Sequence, residues 1–193
     1  MFLICFVVFS FVLFKLNIHF EAKVIGLRSA NEHFYCQNFD EGHLLEPVRS
    51  GNLVFPAGQC AEPFIDVEDI VDVVTAALTE EGHREQLYEV TGPELLTFAD
   101  AVREISTATG RKILYTPVSA GEYASALMEE GMPSEVAGML GDLFSTILDG
   151  RNSHLSDGVQ RALGRQPRSF AEYAKRTAAS GVWQAPAATK AIA

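Results

Sequence analysis

Pro63-Phe64-Ile65-Asp66-Val67-Glu68-Asp69-Ile70-Val71-Asp72-Val73-Val74, followed by Tyr88-Glu89-Val90-Thr91-Gly92-Pro93-Glu94, is the passage on which the fold turns. Phe64-Ile65 is a short apolar run that meets a carboxylate at Asp66, and from there Ile70, Val73, Val74, Ala77 and Leu78 recur at helical spacing. A buried strand that feeds directly into a helix has this pattern. Asp66 is placed to cap that helix, its side chain accepting a hydrogen bond from an orphan N–H of the first turn, and Glu68 and Asp69 then sit where the helix dipole favours negative charge. The helix is expected to run to about Glu80, with Gly82 as its stop. Gln86 to Thr91 alternates Leu87, Glu89 and Thr91 against Tyr88 and Val90, which predicts a strand.

Working outward, Ala22 to Leu27 and Leu53 to Phe55 read as strands, and Asn38 to Val48 as a short helix stopped near Gly51. Thr97 with Asp100 opens a helix that ends at Gly110, and Lys112 to Thr116 is a further strand. Ser119 with Glu122, and Ser169 with Glu172, are S-x-x-E capping boxes that open two more helices. Between them Pro133 to Leu148 carries an apolar stripe of Val136, Leu140, Leu143, Phe144, Ile147 and Leu148, closed by Gly150. Within it Gly138 and Gly141 are read as packing positions. Strands alternating with helices and then a helical cluster describe an α/β fold: the second half of a doubly wound sheet with a small, mostly helical C-terminal lid.

The charge balance narrows the partners. Fifteen Lys plus Arg against 25 Asp plus Glu give a net charge of −10, and the basic residues are scattered, so a nucleic-acid backbone would be repelled. Cys5, Cys36 and Cys60 are odd in number and lack C-x-x-C spacing, which argues for a reducing compartment, the cytoplasm by default. Residues 1–30 stand apart. Met1 to Phe14 is apolar except for Ser10, shorter than the ~20 residues of a membrane span unless Leu16, Ile18 and Phe20 extend it. It also lacks the basic start and cleavage site of a signal peptide. An unrelated start, a membrane-associating segment within residues 1–20 and a buried element are the open readings. Residues 31–183 form the folded portion, and 184–193 an Ala-rich tail.

The motifs of nucleotide chemistry are missing from the sequence. None of the 15 glycines satisfies the G-x-G-x-x-G spacing by which a strand-turn-helix grips a pyrophosphate. There is no phosphate-loop motif, and Tyr173 and Lys175 are too close in sequence to share a helix face. His33, Cys36, His43 and Cys60 match no zinc spacing, so no metal site is assigned. Cys36 could act as a nucleophile only if a base such as His33 lowered its pKa. Asp66, Asp69 and Asp72 are explained by capping and dipole, and no residue is assigned as catalytic.

His33-Phe34-Tyr35-Cys36-Gln37-Asn38-Phe39, Phe55-Pro56-Ala57-Gly58, the Phe64-to-Ile70 block, Tyr88 to Pro93, Thr97-Phe98-Ala99, Gly110-Arg111-Lys112-Ile113, Pro117-Val118-Ser119, Leu163-Gly164-Arg165 and Pro167-Arg168-Ser169-Phe170 occur here in that order. Together they resemble the C-terminal half of the NmrA-like, atypical short-chain dehydrogenase/reductase family, which includes NAD(P)H-dependent quinone and azo-dye reductase-like proteins. The resemblance implies a Rossmann-like fold without its N-terminal cofactor half, NADP or NAD as cofactor, and a quinone-like small molecule as acceptor. It implies that the loop from His33 to Asn38 lies beside the nicotinamide, with Phe34, Tyr35 and Asn38 toward the cofactor and His33 and Gln37 toward the substrate. Read from the residues alone, Phe34 and Phe39 are core and Asn38 caps the next helix. By the resemblance the protein is expected to be a truncated reductase, inactive alone. The alternatives are a non-enzymatic dinucleotide-sensing regulator with a protein partner or a homo-oligomeric state, and a membrane-tethered protein.

Overall fold

A computed structural model describes the backbone of residues 26–29 and residues 34–185 in full. The apolar lead, His33 and the tail beyond residue 185 lie outside the described residues, and with them the anchor reading and one expected substrate contact.

Strand β1 (Gly26–Ser29) pairs in parallel with β4 (Leu87–Val90). Between them in sequence come a 3-10 turn (Cys36–Phe39), a second (Gly42–Leu44), helix α1 (Leu45–Ser50), β2 (Asn52–Phe55), β3 (Ala61–Glu62) and helix α2 (Val67–Thr79). After β4 follow β5 (Leu96–Thr97), α3 (Phe98–Thr109), β6 (Leu114–Pro117), α4 (Ala120–Glu129), α5 (Ser134–Ile147), α6 (Gly158–Leu163) and α7 (Phe170–Ser180). Strand β2 pairs in parallel with β6, and β3 in antiparallel with β5. The chain is α/β, with its described strands in three separate pairs.

Phe64-Ile65, expected as a strand, makes a single parallel bridge from Ile65 to Tyr35. Its surroundings are nevertheless those of a central strand. Ile65 donates its N–H to the Phe34 carbonyl at 3.4 Å and accepts from the Cys36 N–H at 2.9 Å, while Gly92, just past β4, donates to the Pro63 carbonyl at 3.1 Å. Gly92 has to be glycine, because a Cβ there would lie 2.0 Å from the Phe64 carbonyl oxygen. Successive side chains of an extended segment point to opposite faces. Phe64 accordingly enters a large aromatic core with Phe34, Phe39, Phe55, Phe98 and Phe170, and Ile65 enters a smaller one with Val73, Tyr88, Val90 and Val159. Helices α3 and α7 cover the first face, and α2 and α6 the second. Each fully buried aromatic or branched side chain contributes about 1.5–3 kcal/mol relative to exposure.

The local signals are realised where their partners are close in sequence. Asp66 caps α2, Thr97 and Asp100 form a complete capping box on α3, as do Ser119 and Glu122 on α4 and Ser169 and Glu172 on α7. Gly51 and Gly110 take left-handed conformations at the ends of α1 and α3. Of the two glycines read as packing positions, Gly141 faces Ala124 Cβ and the Ala120 carbonyl, but Gly138 is exposed with open space around it. The apolar run around Gly138 had suggested burial, and the helix simply turns that position outward.

The outer side of β4 is closed by side chains. Ser156 Oγ donates to the Glu89 carbonyl at 2.6 Å and Arg161 to the Leu87 carbonyl at 3.3 Å. The first residue of α6, Gly158, sits so near that a Cβ would lie 1.9 Å from the Glu89 oxygen. An edge strand whose carbonyls are occupied in this way is no template for another strand.

Candidate functional site

The loop that carries the expected site residues follows β1 and is laid along Ile65. Phe34 is turned inward, 4% exposed, with its ring edge-on to Phe98 at 5.0 Å and Phe55 at 5.9 Å. Gln37 spends its amide on the start of α2: Nε2 donates to Asp66 Oδ1 at 2.7 Å and Oε1 accepts from the Val67 N–H at 3.0 Å. Asn38 lies inside the 3-10 turn, its N–H donating to the Tyr35 carbonyl at 3.1 Å, and the cap of α1 is Leu44 instead. Tyr35 and Asn38 are both half-buried, Tyr35 against the smaller core, and the Asn38 amide takes no hydrogen-bond partner among the described residues. Phe34 is thus a core side chain, whereas Gln37 is half-buried like Tyr35 and Asn38 and bonded to the start of α2.

Asp66 is the hub under this loop. Fully buried, it accepts from Gln37 and the Glu68 N–H through Oδ1 and from Arg176 Nη2 at 2.6 Å through Oδ2. Burial would raise its pKa, but the hydrogen bonds from Arg176, Gln37 and the Glu68 N–H outweigh it and hold the carboxyl below its ordinary value. Next to it Tyr173 donates its hydroxyl to Asp40 Oδ1 at 2.6 Å, and Trp183 Nε1 donates to the Phe39 carbonyl at 2.8 Å. Burial raises the Asp40 carboxyl above its usual range despite the Tyr173 hydroxyl.

Nucleophilic chemistry at Cys36 is disfavoured. The thiol is fully buried, and burial together with the fields of Asp66 and Asp69 raises its pKa far from neutrality, so no thiolate forms. His43 lies on the rings of Phe144 and Phe55 at 5.8 and 5.9 Å, which holds its pKa below the ordinary imidazole value although its edge reaches solvent. Among the described residues no group of three or more His, Cys, Asp or Glu side chains is placed to hold a metal.

One cluster escaped the reading of the sequence. Asp69, fully buried, receives Arg165 Nη1 at 2.7 Å and Arg168 Nη1 at 2.5 Å, and Asp72 receives Arg165 Nη2 at 2.6 Å and Arg168 Nη2 at 3.0 Å. Capping and dipole explain Asp66, but Asp69 and Asp72 are held chiefly by these two guanidiniums. The available signal was charge complementarity between the acidic start of α2 and the basic Leu163-to-Ser169 segment.

A cleft of about 450 Å³ opens beyond the carboxyl ends of β2 and β6, lined by Pro56, Gln59, Cys60, Ser119, Leu148 and Asp149 among others. Ligands of parallel sheets commonly bind at such ends. Burial and the neighbouring Glu62 push the Cys60 thiol up to about 11, so this cleft also offers no thiolate. Tyr35 and Asn38 are not among its lining residues.

A dinucleotide's pyrophosphate does not fit the described residues. Helix N-termini are the natural anion sites, but every described helix of eight residues or more carries its own carboxylate in the first turn: Glu68 and Asp69 in α2, Asp100 in α3, Glu122 in α4, Glu135 in α5 and Glu172 in α7. In α3, α4 and α7 that carboxylate already bonds the capping N–H, so a diphosphate would meet repulsion and an occupied donor.

Compared with models of protein families, the chain matches none. Over 130 residues it is 34% identical to an NAD(P)H azoreductase of Xenophilus azovorans, an alignment covering 67% of this chain and 46% of that protein. In structure it is similar to the triphenylmethane reductase of a Citrobacter species solved with NADP(H), with a TM-score of 0.63, 25% identity, and 76% of this chain against 51% of that one. A quinone oxidoreductase of Escherichia coli that depends on NADPH shares the fold, with a TM-score of 0.62 at 21% identity over 76% of this chain and 53% of that one. The chain thus spans about half the length of the curated relatives and solved structures it matches. Among the described residues no helix is long and apolar enough to cross a membrane.

Proposed function

We propose, for a chain that belongs to the NmrA-like, atypical short-chain dehydrogenase/reductase family, that it supplies the acceptor side of an NAD(P)H-dependent oxidoreductase acting on quinone-like molecules. The identity of 34% with an NAD(P)H azoreductase over 130 residues carries this reading. The fold supports it: an extended central segment with helices on both of its faces is what the second half of a doubly wound sheet presents, with α4 and α5 as the helical lid.

In this reading Tyr35 offers a ring for a flat acceptor to pack on, and Asn38 offers an amide, without a partner among the described residues, to a carbonyl oxygen. His33 is assigned the same acceptor. Phe34 and Gln37 hold the loop from below. Grip on the pyrophosphate of NADP or NAD belongs to a glycine-rich strand-turn-helix, which these 193 residues do not contain.

The test is a pair of calorimetric titrations on the purified chain, one with menadione and one with NADPH and NADH. Saturable menadione binding that weakens in Asn38→Ala, with weak or undetectable nucleotide binding, is the expected result. Micromolar binding of either nucleotide would refute the division of labour, and the absence of menadione binding would refute the acceptor assignment.

A further inference from the structure

The geometry points to helix α7 as a strut that positions the acceptor loop, with Arg176 as the positioning residue acting through Asp66 and Gln37. This rests on the acceptor reading of Tyr35 and Asn38.

The chain of contacts is continuous. Arg176 Nη2 meets Asp66 Oδ2 at 2.6 Å, Asp66 Oδ1 takes the Gln37 amide at 2.7 Å, and the other end of that amide takes the Val67 N–H at 3.0 Å. With both ends of its amide engaged Gln37 has one orientation, and Tyr35 and Asn38 flank it in the chain. The same helix reaches the same loop twice more, through Tyr173 to Asp40 at 2.6 Å and, just past its end, through Trp183 to the Phe39 carbonyl at 2.8 Å. The loop is therefore fixed on its inner side by contacts more than a hundred residues away in sequence, while Tyr35 and Asn38 stay half-buried beside them.

The far end of the strut is itself anchored. Arg49 Nε donates to the Val182 carbonyl at 2.7 Å, and Arg111 donates to the carbonyls of Arg49, at 2.6 Å, and Trp183. Helix α7 cannot slide without breaking these contacts and the Phe170 packing on Phe39 and Phe64. A buried carboxylate that loses its guanidinium is left uncompensated, so removal of Arg176 loosens Asp66 first and Gln37 next.

Hydrogen–deuterium exchange on the full chain tests this. In Arg176→Met, amides of residues 35–40 are expected to exchange at least about tenfold faster, the equivalent of one lost charge-assisted hydrogen bond, with α3 unchanged. Arg176→Lys keeps a charge but not the fork, and falls between the two. Arg165→Met removes pairs to Asp69 and Asp72 on the same helix but none to Asp66, and leaves the loop as in the wild type. Should Arg176→Met fail to fold, Gln37→Met cuts the last link alone and speeds the same amides. Loop exchange unchanged in Arg176→Met or Gln37→Met, or accelerated equally in Arg165→Met, overturns the strut. Menadione affinity separates the two readings: a weaker affinity in Arg176→Met with that of Arg165→Met unchanged supports both. A wild type that does not bind menadione sinks the acceptor reading and leaves the strut to be decided by exchange.

Discussion

Arg168 answers Asp69 twice, once with its backbone N–H at 2.7 Å and once with its guanidinium at 2.5 Å. The carboxylate is fully buried, so the pair ties the segment entering α7 to the first turn of α2 in one geometry. Asp69→Ala takes the acceptor from the Arg168 N–H and one carboxylate from two guanidiniums that stay part-exposed and paired with Asp72, so it is expected to cost about 1–3 kcal/mol, read as a lower urea midpoint at unchanged slope. A loss below about 1 kcal/mol, the range of surface pairs, would mean that the contact is not buried in solution.

Two glycines should respond to alanine with opposite signs. At Gly158 a Cβ would lie 1.9 Å from the Glu89 oxygen, so Gly158→Ala must displace either α6 or β4 and is expected to lower the thermal midpoint sharply. At Gly138 the surroundings are open and the residue is helical, so Gly138→Ala should stabilise by about 0.5–1 kcal/mol. Denaturant melts of both variants check the contrast.

Asp66 sets a pH dependence of definite sign. Its folded pKa lies below its unfolded one, so its contribution is fully present above the ordinary carboxylate range and is lost as pH falls through the depressed value. The stability difference between the wild type and Asp66→Asn should be constant above about pH 5 and shrink below it. A difference that grows on acidification would contradict the ion pair with Arg176.

The thiols should be slow. Near about pH 8, where a free cysteine is substantially ionised, burial keeps Cys36 protonated, and Cys60 is pushed up to about 11. Peptide mapping after iodoacetamide treatment should find Cys36 unlabelled in the native protein and labelled once urea is added. Fast native labelling of Cys36 would show that the loop opens.

What could be read ahead of the structure divides along sequence distance. Thr97 with Asp100 and Ser119 with Glu122 are visible because both partners of each bond lie in one turn, and the α/β class follows because strands and helices alternate with different periods. The same alternation set Tyr88 and Val90 inward and Leu87 outward. Tertiary contacts left a weaker trace. Charge complementarity between the acidic start of α2 and the segment around Arg165 and Arg168 does not say which carboxylate meets which guanidinium, and nothing near Gln37 announces that its amide will be taken by Asp66. Phe34 separates two kinds of reading: the resemblance turns it toward the cofactor, the residues alone put it in the core, and its neighbours Phe98 and Phe55 are those of a core side chain.

The manner in which β4 ends has its own consequence. Ser156 and Arg161 stopper the Glu89 and Leu87 carbonyls, so the boundary of this ladder is drawn by two side chains and not by the length or composition of the strand. Such a boundary behaves as a safety catch: at high concentration, molecules meeting along that flank find the Leu87 and Glu89 acceptors already taken, and the ladder gains no easy first rung there.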